Sequence, residues 1–422
     1  MEFKEYNLIE CVSEIIDYRG KTPKKLGGEW DDNGDYRAIS AKNIKNNKIV
    51  NEEAMKKVNK EIYMKWMKKE VKKGDILLTS EAPLGETYYW DSEEKIVLSQ
   101  RIYGIRANEN IIKSRYLFAY MQSRNFSHEL TSRESGTTVT GIRQSELEKV
   151  KIKIPVLSIQ KYIGDTIFNL NQKIQVNSEI INTLEKISQT LFKHWFIDFE
   201  FPNEEGKPYK SSGGEMVESE LGEIPKGWSV KYLSENVDFL SGGTPKTKEE
   251  SYWHGTIPFF TPKDAKNNLY TTTTEKSITD LGLEKCNSKL YPKNTLFITA
   301  RGTVGKLALA NRPMAMNQSC FALKHKDDKQ FYLYNIVDNL VKEIILGANG
   351  AVFNAINLND LKRLKYAYSN EQVIANFENT VSRFYEKMSL LEEENINLQQ
   401  LRDTLLPKLL SGEIEIPDNL EV

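Results

Sequence analysis

Between Ile159 and Trp195, apolar side chains recur at Ile163, Ile167, Leu170, Ile174, Ile181, Leu184, Leu191 and Trp195. The gaps alternate four and three once Asn177 and Ser188 are counted as polar members of the series. Such a seam, held for about five heptads, predicts a long helix lying along another helix. A second stripe supplies the partner: Phe377, Val381, Phe384, Met388, Leu391, Leu398, Leu405 and Leu409 keep the same spacing, with Asn395 and Arg402 as polar members. Most of these stand 214 residues after a counterpart, Val381 after Ile167 and Leu398 after Leu184 among them. One stripe alone reads as a core helix, whereas two in one register point to a pair. Partner numbers in an antiparallel pair sum to a constant. Setting Asn177 against Asn395 places Ile181 opposite Leu391, Leu184 opposite Met388, Leu191 opposite Val381 and Ile167 opposite Leu405. All four are apolar on apolar, so the spacing predicts that the two asparagines meet.

A mixed α/β region precedes each helix. Short apolar runs such as Ile76-Leu77-Leu78 and Ile96-Val97-Leu98, punctuated by Gly and Pro, read as strands. The second region echoes the first in order. Thr22-Pro23-Lys24 returns as Thr244-Pro245-Lys246, Ser99-Gln100 as Asn317-Gln318, and Gly136 to Val150 aligns with Gly350 to Leu364 without a gap. The expected fold class is α+β: two similar α/β domains separated by two long antiparallel coiled-coil helices, a pseudo-twofold internal repeat. Expected boundaries are 1–157, 158–197 for the first helix, 198–221 for a Gly/Ser/Pro-rich linker, 222–370, 371–410 for the second helix, and a tail over 411–422.

Composition narrows the chemistry. Charged residues make up 28% of 422, no apolar run is long enough to span a bilayer, and no secretory signal is visible at the start. Cys11, Cys286 and Cys320 are few and far apart, which fits a reducing cytoplasm. The formal net charge of −1 means any nucleic-acid surface must be local. Lys42 to Lys73 is dense in lysine around Trp66, and both a solvated helix face and a phosphate-tracking face fit it. Gly302-Thr303-Val304-Gly305-Lys306-Leu307 superficially matches a phosphate loop, but its glycines are too close and Leu307 stands where Ser or Thr is needed. His128, His194, His254 and His325 are isolated from metal-ligand partners, and Asp198 and Glu200 have no lysine at nuclease spacing.

The order of parts, together with Trp195-Phe196-Ile197-Asp198-Phe199-Glu200-Phe201-Pro202, Gly222-Glu223-Ile224-Pro225-Lys226-Gly227-Trp228 and Arg402-Asp403-Thr404-Leu405-Leu406-Pro407-Lys408-Leu409-Leu410-Ser411-Gly412, resembles the specificity subunit of a type I restriction–modification system. The resemblance covers the whole chain. It implies a non-catalytic subunit in which each α/β domain reads one half of a bipartite site in double-stranded DNA, while the helices fix the half-site spacing. Implied partners are modification (methyltransferase) subunits, two of them, and restriction (nuclease and translocase) subunits in a bacterial or archaeal cytoplasm. S-adenosylmethionine, ATP and Mg²⁺ are expected on those partners and no cofactor or metal on this chain. A helix of about 38 residues is about 57 Å long, the reach of roughly one and a half turns of DNA.

Candidate base readers lie where the repeats echo each other yet differ in chemistry. They are Arg37, Ser40, Lys42 and Asn43 against Thr261, Lys263 and Asp264; Thr79 and Ser80, with Arg101, against Thr299 and Arg301; and Thr137 and Thr138 against Asn349. Each stands near a strand end, in a polar, turn-rich stretch where an ordinary loop role also fits. Two alternative readings remain: the DNA-reading part of another methyltransferase–nuclease system, or a coiled-coil scaffold with no DNA target.

Overall fold

The computed structural model describes residues 2–136, 140–266, 268–347 and 355–416. The chain divides into two units, Met1–Gln175 with Asn397–Val422, and Val176–Ile396.

In the first unit, β1 (Val12–Asp17), β2 (Ile76–Ser80), β3 (Leu84–Tyr89) and β4 (Ile102–Ala107) form an antiparallel sheet in the order β1-β4-β2-β3. Every residue of β2 is buried, because side chains alternate between two covered faces. Ile76 and Leu78 pack with Tyr103, Ile105 and the helix α1 (Ser114–Met121), whereas Leu77 packs with Trp66, Leu98 and Ile102 on the other face. A second sheet has Tyr36–Ile39 between Lys57–Val58, antiparallel, and Val97–Leu98, parallel. After α1 the chain breaks at Gln122 and restarts as α2 (Arg124–Ser132), whose first turn is capped by Ser123.

The second unit repeats this plan. Its main sheet contains β5 (Val237–Ser241), β6 (Tyr270–Thr271), β7 (Leu296–Thr299), β8 (Leu307–Ala310) and β9 (Cys320–His325), ordered β5-β9-β7-β8-β6. Its small sheet places Trp253–Phe260 between Lys276–Ile278 and Ala315–Met316, again one antiparallel and one parallel neighbour. Where the first unit has two helices, the second has one, α4 (Gln330–Gly347). Gly302 and Gly305 belong to the hairpin turn between β7 and β8, with φ of +82° and +81°, so the apparent phosphate loop is a strand connection.

The long helices are α3 (Leu157–Phe192), continued by a π-helical turn over Lys193–Ile197, and α5 (Glu371–Ser411). In the second unit, Asn177 Nδ2 donates to Asn395 Oδ1 at 3.0 Å and Ser188 Oγ donates to Tyr385 Oη at 3.2 Å, so these parts of the helices run antiparallel. In the first unit, Arg402 Nη1 donates to Asn171 Oδ1 at 2.9 Å. Seam positions on both helices are buried or half-buried. The apolar stripe is wider than a two-position seam, because each helix also covers a globular core. Tyr385, beside the half-buried Phe384, is the fully buried ring, and Leu406 is more buried than Leu405. The last turns of α5 belong to the first unit's core, where Leu406 and Leu409 pack with Ile163 and Ile167. The end of α3 belongs to the second unit's core, where Phe192, Trp195 and Phe196 meet Phe377 and Tyr332.

Candidate nucleic-acid interface

Several polar residues singled out in the first unit serve its loops. Arg37 is gripped by Glu94 (2.8 and 2.6 Å) and Glu52 (2.5 Å), and these carboxylates raise the pKa of its guanidinium above the ordinary arginine value. Ser40 donates its backbone N–H and its hydroxyl to Asn43 Oδ1 at 3.1 and 2.8 Å, closing a capping box, and Asn43 is 1% exposed. Thr79 Oγ1 donates to Pro83 O at 2.6 Å and accepts from Glu86 N at 2.9 Å, which pins the β2–β3 turn. Lys42 is exposed. In the lysine-rich stretch, Lys65 pairs with Glu61, Lys69 with Glu14 and Lys73 with Asp91, while Trp66 is fully buried.

The second unit uses the same devices. Thr261 donates its N–H and hydroxyl to Asp264 Oδ2 at 2.8 and 2.7 Å, and Asp264 Oδ1 also accepts from Glu275 N. Lys263 stands 3.7 Å from Glu275. Thr299 hydrogen-bonds to Thr303 O and Lys306 N, as Thr79 does to its own turn. Arg301 is exposed, with no ion pair among the described residues. Thr137, Thr138 and Asn349 lie outside the described residues.

The decisive pattern is a main-chain frame present in both units. In the first, Ser80 N donates to Arg101 O (2.9 Å), Ile142 N donates to Ser80 O (2.9 Å), and Glu81 bridges Gly141. In the second, Ala300 N donates to Ser319 O (2.8 Å), Ile356 N donates to Ala300 O (3.0 Å), and Arg301 bridges Ala355. The backbone is one design; the side chains on it differ.

In the first unit this frame floors a pocket of about 440 Å³ lined by Arg19, Ser80, Glu81, Gln100, Arg101, Ser135, Gly136, Gly141 and Arg143. Ser80 Oγ is buried with no hydrogen-bond partner among the described residues. Arg19 is a wall, fixed by Asp17 at 2.9 and 2.8 Å and lying 4.0 Å above the Tyr103 ring. A smaller pocket of about 200 Å³ shares Gln100 and reaches Ser40, Lys42 and Asn43. The fold thus gathers Ser40, Lys42, Asn43, Ser80 and Arg101 and leaves Arg37 out.

A family model for the type I restriction modification DNA specificity domain matches residues 5–186 and 225–388. The chain belongs to this family. The MjaIX specificity subunit of Methanocaldococcus jannaschii is 27% identical over 427 residues, spanning 97% of this chain and 93% of that protein. The HindI specificity subunit of Haemophilus influenzae is 24% identical, over 82% and 88%. The S subunit of a type I restriction–modification system from M. genitalium superposes over 97% of this chain and 96% of that one, with a TM-score of 0.62 at 15% identity, a likeness of fold. As a specificity subunit the chain recognises DNA, and catalysis sits on partner subunits.

Glu81 stands in one of the stretches singled out from the sequence, beside Thr79 and Ser80, whereas Arg19, Gln100 and Arg143 were not among the candidates. Gln100 carried a signal in the repeated Ser99-Gln100 and Asn317-Gln318, and Arg19 stands just before the repeated Thr-Pro-Lys. Glu81 and Arg101 are brought together by the pairing of β2 with β4, which their spacing does not show. Among the described residues no helix is long and apolar enough to cross a membrane, and no group of His, Cys, Asp and Glu could hold a metal. His325 is buried, which lowers its pKa below the usual histidine value.

Proposed function

We propose that each unit reads one half of a bipartite duplex site, and that α3 and α5 pair as an antiparallel spacer that fixes the half-site separation. The two units are then pseudo-symmetric readers on one repeated plan. Modification subunits, two per chain, carry S-adenosylmethionine and methylate adenine; restriction subunits carry ATP, Mg²⁺ and the nuclease. The assembly works in a bacterial or archaeal cytoplasm, where its DNA lies.

What supports this reading is the main-chain frame shared by Ser80/Glu81/Arg101 and Ala300/Arg301/Ser319, because a pair of readers needs a common mount and different side chains. Base edges are told apart by placed donors and acceptors, while lysine and arginine on phosphates only hold position. A rigid helical pair keeps two readers in register where a Gly/Ser linker would not.

The test is to express the chain with its modification subunit and map methylated adenines. A two-part motif with a fixed gap is expected. A motif without a gap, or duplex binding indifferent to salt, would overturn the reading and favour a scaffold.

A further inference from the structure

At the mouth of the first unit's pocket, Glu81 and Arg101 form an ion pair, Oε1 to Nε 2.9 Å. Their side chains are 33% and 48% exposed. Arg101 has φ +65°, a left-handed backbone that a non-glycine residue seldom adopts without reason. Its terminal guanidinium nitrogens have no hydrogen-bond partner among the described residues. Beneath the pair, Ser80 is 1% exposed and its hydroxyl has no hydrogen-bond partner among the described residues.

A fold-stabilising role for this ion pair is weak on two grounds. A pair this exposed contributes little, since water screens it. The second unit also builds the same main-chain frame without it: Arg301 stands where Glu81 does, and Ser319 where Arg101 does. The charges are therefore not what the frame requires.

We propose that Glu81 and Arg101 together read one cytosine–guanine base pair in the half-site taken by the first unit. This rests on the DNA-reading role proposed above. In the major groove guanine offers two acceptors, O6 and N7, and cytosine one donor, the N4 amino group. A guanidinium fork fits the first and a carboxylate the second. With adenine in place of guanine, the adenine amino group faces the guanidinium and the thymine O4 faces the carboxylate; with thymine in place of guanine, the fork keeps one acceptor, O4, but meets the thymine methyl where N7 was. The ion pair between the readers fixes the angle at which both approach. Gly141 lets its strand lie close beneath Glu81, since a Cβ there would lie 2.8 Å from both Ser80 O and the Glu81 Cβ. Arg143, exposed and without an ion pair among the described residues, flanks the pocket as a phosphate contact.

The test uses the chain with its modification subunit and maps methylated adenines for the wild type, Glu81→Gln, Arg101→Ala and Arg101→Lys. The wild-type motif should contain a C·G pair at which each variant lowers discrimination about 10- to 100-fold, all other positions being retained. Arg101→Lys keeps the charge but lacks the bidentate fork, so it should loosen the same position. If a variant folds with unchanged melting but methylates too weakly to map, selection from randomised duplexes by binding reads that position. An unchanged motif in Glu81→Gln or Arg101→Ala overturns the inference and leaves the two-reader function standing, as do changes at two different positions. Uniform weakening across the site overturns it too, since that marks phosphate contacts. A wild-type chain that yields no bipartite motif overturns the function itself.

Discussion

Asn177 Nδ2 donates to Asn395 Oδ1 at 3.0 Å and to Glu394 Oε2 at 2.9 Å, while its own Oδ1 is buried with no hydrogen-bond partner among the described residues. A buried amide held this way favours one register over slipped ones at some cost in stability. Asn177→Leu or Asn395→Leu alone should lower the unfolding free energy by about 1–3 kcal/mol by stranding the other amide, and the double leucine should recover more than that. Urea titration of the four chains, as a double-mutant cycle, measures the coupling. Glu185 answers to pH. Burial raises its pKa above the usual carboxylate value, Tyr334 Oη donates to it at 2.7 Å, and Asp338 adds like charge. A group that binds its proton more readily folded than unfolded costs stability as pH rises through the raised pKa, and the loss vanishes below the unfolded value. Glu185→Gln should therefore gain melting temperature over the wild type at pH 8 and show less gain at pH 5. An equal gain at both would remove Glu185 as the cause.

Between elements in the second unit, α5 makes a buried polar contact with the start of α4. Glu378 accepts from Phe331 N at 3.2 Å and Tyr332 N at 2.8 Å, two donors that α4 itself leaves open at its first turn. Burial pushes the Glu378 pKa up, and the two backbone donors offset part of that. Glu378→Ala should cost about 1–3 kcal/mol in chemical denaturation, and Glu378→Gln, which keeps an acceptor, should cost less. Helices of this kind were legible in the sequence because their period is local and long. The sheets were less so: β6 has two residues, and its neighbour β8 follows in the chain only after Lys276–Ile278 and β7. Ser40 and Asn43 show why the candidate readers were harder to sort. A hydroxyl three residues before an amide is the pattern of a cap as much as of a base contact, and in this fold the cap takes it.

The whole chain carries a constraint on exchanging its parts. Leu406 and Leu409 of α5 sit in one core with Ile163, Ile167, Tyr116 and Phe126, so the first reader includes residues from both ends of the sequence. A chimera that takes only residues 1–155 from a distant relative should change one half of the methylated motif and melt lower than one that also takes 157–175 and 397–416. Differential scanning calorimetry of the two chimeras decides it; equal melting would mean that the last turns of α5 add nothing to that core. The repeat itself was visible as scattered echoes. Ser80 against Ala300 was among those echoes, and Arg101 against Ser319 follows directly on Ser99-Gln100 and Asn317-Gln318; that these residues share one main-chain frame was not, because its bonds join strands far apart in the chain.

The frame under the pocket works like a compositor's forme, locked in its chase while the type in it is changed. Its bonds run N–H to carbonyl, and no side chain takes part in them. Side chains at 81 and 101 can therefore differ without breaking a bond of the frame, as Arg301 and Ser319 do in the second unit. Residue 141 is the constrained sort of the first unit. A Cβ there would lie 2.8 Å from both Ser80 O and the Glu81 Cβ, so the strand would have to shift to admit one, whereas the second unit carries Ala355 at the matching place.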